Sequence, residues 1–197
     1  MRLRTALLLV WLAGPAQAHA FKSGSNLYGQ LLEGIGLVFA DPRLILAPLA
    51  LAVLAALKDA RGFPRQWVFL LVGALAGQLI APVIPPAIMI AALVTAVITA
   101  ISALSLYHRL LDLMALLVGV VTAAAALEGH GFFEVPVLLR IGIFVGVSIT
   151  VAAPAALAGM SMAQFPYAIT PILWRIAASW CAAIAIMLIA FTFKRLS

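Results

Sequence analysis

Charge is what this chain has least of. Only 9% of its 197 residues are Asp, Glu, Lys or Arg, against 66% that are hydrophobic. A soluble domain carries about a quarter charged residues, and a chain of this length needs a polar surface to stay in water. The deficit excludes a soluble globule and makes lipid the solvent for most of the chain, in line with a mean hydropathy of +1.21. Cysteine is nearly missing: Cys181 is the one thiol and lies in an apolar run, which excludes an internal disulfide and reads as packing. Three histidines on widely separated segments are too few for a packed metal enzyme. No Gly-rich phosphate loop and no serine placed with a histidine and an acid is present, so no enzyme is expected. The net charge is +6, yet the basic residues are scattered singly or at segment ends. That excludes a nucleic-acid patch and fits anchoring at a bilayer.

What the chain does have begins with "MRLRTALLLVWLAGPAQAHAF". A basic start, a short apolar stretch and the small residues Ala16 to Ala18 give residues 1–18 the form of a secretory signal, cleaved or retained as an extra helix. Cleavage makes His19 the first residue, whose amine and imidazole form a two-point metal chelator; the plainer reading is that His19 merely follows the cut. Residues 19–34 then form an outer N-terminal segment. Residues 35–197 form an all-α, polytopic transmembrane bundle of six helices.

A span needs about 20 apolar residues. Five runs meet that near Trp67–Ile84, Ala87–Leu106, Leu110–Leu127, Val135–Leu157 and Ile172–Phe193. The first of the six spans starts near Ile35 and ends at Leu57, carrying Asp41, Pro42, Arg43 and Pro48 as a kinked helix. Lys58, Arg61 and Arg65 place their loop in the cytoplasm, with Arg109 and Arg175 on the same side. The mature N-terminus and the loop 128–134 then face the periplasm of a bacterial inner membrane; Lys194 and Arg195 break the charge rule. "GALAG" at Gly73 and Gly77 and "GIFVG" at Gly142 and Gly146 are close-packing motifs, and Thr95, Thr99 and Ser102 form a hydroxyl stripe.

The ionisable groups sort into two layers, because each costs about 3 kcal/mol inside hydrocarbon. Glu33, Asp41, Arg43, Arg140 and the loop "LEGHGFFEVP" lie in the outer one. In that loop Glu128, His130 and Glu134 form either a solvated loop with capping acids or a capture site for nickel, cobalt, copper or zinc. In the inner layer His108 and Asp112 share a helix face, and Arg175 pairs with Asp112 or marks an exit site.

A signal ending just before "HAF", a compact six-helix body and the loop "EGHGFFEVP" resemble the HupE/UreJ proteins. That family is associated with hydrogenase and urease gene clusters and regarded as nickel permeases. The resemblance implies an inner-membrane protein that handles a divalent metal ion, captured by His19, Glu128, His130 and Glu134 and received by Asp41. Family members carry a histidine and then an Asp-His pair in the first helix, whereas Asp41 is followed here by Pro42 and Arg43. An accessory or structural subunit of a larger membrane complex, with the transport motif lost, is the alternative. Lipid is the expected partner, alongside partner subunits or further copies of the chain; no resident cofactor is firmly implied.

Overall fold

The computed structural model describes residues 26–58, 64–81, 88–101, 108–130, 134–165 and 169–196. Among the described residues there are seven helices and no strand. They are α1 (Leu27–Ala40), α2 (Pro42–Lys58), α3 (Pro64–Ile80), α4 (Ile88–Ile101), α5 (His108–Ala126), α6 (Val137–Gln164) and α7 (Ile169–Leu196). Each of the five apolar runs after Leu57 overlaps one helix, α3 to α7, in its described part. The signal segment 1–18 and His19 lie outside the described residues.

The first expected span is two helices whose directions differ by 77°, and the first of them begins at Leu27, ahead of the start expected near Ile35. Asn26 starts α1 by accepting the Gly29 backbone N–H at 2.8 Å. Asp41 has an extended backbone, φ −102° and ψ 110°, as expected of a residue before proline. Its carboxylate accepts the Arg43 backbone N–H at 2.9 Å. Pro42 takes the first helical position, where a missing N–H costs nothing. Asp-Pro-Arg is thus a helix start, and the chain turns where a kink is expected.

Six spans are expected, but among the described residues only Val137–Gln164 and Ile169–Thr192 are long and apolar enough to cross a membrane, or three if α1 and α2 form one broken span. The apolar parts of α3, α4 and α5 are shorter, at 10–17 residues.

Two helices make the centre. In α2 every residue from Ala50 to Ala56 is buried, and at the end of α5 the same holds from Val121 to Leu127. Burial all round marks a helix enclosed by others. α2 is flanked by α4, α6, α7 and α5, and α5 lies mainly on α3. α7 packs along one stripe through Ala178, Ala182 and Ala185, whereas Trp180, Ile186 and Phe191 are exposed. An apolar outer face of this kind suits hydrocarbon and would be a liability in water.

Lipid tails give no hydrophobic drive between helices, so close backbone packing has to hold them. Two pairs achieve it through glycine. On α3, a Cβ at Gly73 would collide with the Leu116 carbonyl oxygen of α5 and one at Gly77 with that of Val120, while Gly119 of α5 sits against Leu70 of α3. Gly34 of α1 lies against Leu139 of α6, and Gly142 of α6 against Leu31. Gly146 is looser, with Ile35 and Val38 as its neighbours. In both pairs the contacts advance in the same chain direction, so the paired helices are parallel.

Candidate functional site

The turn after α5 brings Glu128 within electrostatic reach of the α1–α2 break. Arg43 folds back on Asp41 as a fork: Nη2 reaches Oδ2 at 2.6 Å, and Nε lies 3.0 Å from both oxygens. The carboxylate is almost wholly buried and the guanidinium is half-exposed. Asp41 therefore caps α2 and holds a charge-assisted pair at once.

Glu128 faces this pair. Burial pushes its carboxyl above the usual carboxylate range, Arg43 opposes that shift and Asp41 reinforces it. Both signs of charge are thus felt at one group, which couples Glu128 electrostatically to the Asp41–Arg43 pair. The turn that presents Glu128 is made by the chain end of α5. Leu127 N–H donates to Ala124 O, and Glu128 N–H to Ala125 O, in a tightened last turn. Gly129 then adopts φ +80°, which costs glycine nothing. His130 closes the turn, with Nδ1 at 3.0 Å from the Glu128 carbonyl oxygen and its backbone N–H on Leu127 O.

The other expected site residues fall elsewhere. Glu134 is described and exposed, next to the start of α6. Among the described residues no three His, Cys, Asp or Glu side chains form a group able to hold a metal. Asp41, Glu128, His130 and Glu134 are thus not brought into such a group among the described residues, and His19, the fifth expected ligand, lies outside them. At the other end, Asp112 is buried on α5. Arg175 is exposed on α7, a helix that lies against α4 and α2. Of the residues expected to pair there, Asp112 is thus buried and Arg175 exposed. The side chain of His108 is outside the described residues. Thr95 and Thr99 bond to the carbonyls of Ala91 and Thr95, each at 2.7 Å, and the Thr99 hydroxyl also lies 3.9 Å from the Met114 sulfur of α5; Ser102 is outside the described residues.

No family model, curated protein or solved structure matches this chain.

Sequence reading placed Arg43 beside Asp41 but gave it no partner role. Asp-Pro-x at a helix start, with arginine two residues after the cap, was the available signal. Gln78 was missed. Its Nε2 donates to the Arg140 carbonyl at 3.0 Å and ties α3 to α6. A lone amide in the apolar run "LVGALAGQLI" was its only trace.

Proposed function

We propose that the chain is a multi-pass inner-membrane protein of HupE/UreJ-like layout that handles a divalent cation at its outer rim, with Arg43 holding the cargo's place. One observation supports this reading: at a helix break the Asp41 carboxylate is paired with the tethered Arg43 guanidinium, and a second carboxylate, Glu128, lies within electrostatic reach of both. An entering cation competes with Arg43 for those oxygens, and His130 on the same turn offers the imidazole that nickel, cobalt, copper and zinc favour. Broken helices are where transport proteins bring polar backbone and charge to membrane depth. The orientation rests on Lys58, Arg61 and Arg65 facing the cytoplasm. Movement of the ion is passive or gradient-driven, as no nucleotide-binding motif occurs in the sequence.

A second reading is an accessory subunit of a larger membrane complex. The closed Arg43 fork favours it, because both Asp41 oxygens are already taken. One experiment separates the two. Nickel and cobalt binding to purified protein is measured by elemental analysis and calorimetry, for the wild type and Arg43→Gln. Tighter binding in Arg43→Gln, lost again when Glu128→Gln is added, supports the cation site. No binding in either protein, together with a stoichiometric partner in mild detergent, supports the subunit.

A further inference from the structure

A second feature lies where the end of α3 meets the start of α6. Leu75 and Leu79 of α3 face Val137, Ile141 and Phe144 of α6 across a groove of about 720 Å³. The spacings, four along α3 and four then three along α6, put each set on one helix face. The groove is open on its outer side, since Leu79 and Val137 are 63% and 72% exposed. Its walls are held at a fixed distance by the Gln78–Arg140 hydrogen bond. Arg140 belongs to the lining, and its Nε lies 3.5 Å from the Val135 carbonyl, just before the start of α6.

An apolar slot with one cation at its mouth matches a molecule with a hydrocarbon tail and an anionic head. Long basic side chains near a helix end reach for the interface and leave their stems in hydrocarbon. A guanidinium pairs with phosphate through two parallel N–H donors, and the volume lies in the range of ligand sites. We propose that this groove binds an anionic phospholipid, its phosphate on the Arg140 guanidinium and one acyl chain along Leu79, Ile141 and Phe144. The site is separate from the Asp41–Arg43–Glu128 cluster and does not depend on the cation reading.

The test is native mass spectrometry of the full chain in detergent, titrated with phosphatidylglycerol or phosphatidylcholine of equal chain length. The wild type is expected to retain one phosphatidylglycerol about fivefold better, the ratio given by one basic residue acting on an anionic lipid. Arg140→Lys keeps the preference and Arg140→Gln abolishes it. Ile141→Trp, which fills the groove, lowers retention of both lipids. Equal retention of the two lipids by the wild type overturns the proposal, as does an unchanged preference in Arg140→Gln. Full displacement by millimolar inorganic phosphate would show a simple anion site and overturn it too. So would a crosslinked dimer through Leu79→Cys, which would place a second copy in the groove.

Discussion

Arg43 grips Asp41 through its own side chain and its own backbone, two residues along the same chain. The carboxylate accepts the Arg43 N–H at 2.9 Å and the guanidinium Nη2 at 2.6 Å. Cap and ion pair are thus separable by substitution. Asp41→Asn keeps a good cap and loses the charge, whereas Asp41→Ala loses both. Loss of the cap costs about 1 kcal/mol, and a half-buried guanidinium deprived of its partner adds to that. Thermal unfolding in detergent should therefore rank wild type above Asp41→Asn and Asp41→Asn above Asp41→Ala. Equal midpoints for the two variants would refute a capping role.

Two glycines in α1 sit two residues apart in opposite surroundings. A Cβ on Gly34 meets the α6 backbone, whereas one on Gly36 meets nothing within 4 Å. Gly34→Ala is expected to destabilise by about 1–3 kcal/mol, the usual cost of overpacking. Gly36→Ala is expected to stabilise by roughly 0.5–1 kcal/mol, through the lower entropy cost of a helical alanine. Unfolding midpoints of the two variants check this directly. The same sign for both would mean that the α1–α6 contact is not as tight as described.

Glu128 gives the molecule a pH response. Its carboxyl titrates above the ordinary carboxylate value in the folded chain. Between those two values the folded state binds more protons than the unfolded state, so stability falls as pH rises through that window and levels off above it. Glu128→Gln should flatten the slope. Arg43→Gln should extend the window upward, because Arg43 holds the Glu128 value down. Unfolding midpoints across mildly acidic to neutral pH read this out, and identical slopes in wild type and Glu128→Gln would refute it.

Gly129 carries the turn. At φ +80° with open space around it, Gly129→Ala suffers backbone strain alone, about 1–2 kcal/mol. Gly129→Asn, which tolerates that region better, should recover part of it. If alanine costs nothing, the turn that presents Glu128 and His130 is not held in this conformation.

Helical class, the five runs after Leu57 and the small-residue positions were legible because each is a local property of the sequence. The start of α1 was not, since Gln30 and Glu33 dilute its hydropathy. Its marker was the Asn26 cap. The break at Asp41 was read as a kink because proline suggests one; the cap that turns Asp-Pro into a beginning depends on where the side chain points. The electrostatic coupling of Glu128 to Arg43 joins positions 128 and 43, far apart in the chain. It depends on how α2 and α5 pack, and no local pattern encodes that.

The glycine crossings set how the protein can move. Where main chain touches main chain, no rotamer stands between two helices to absorb a shift. α1 with α6 and α3 with α5 must each travel as one stiff block. Any rearrangement that opens the Asp41 end is then a displacement between blocks, hinged at the 41–43 corner, and not a loosening within either.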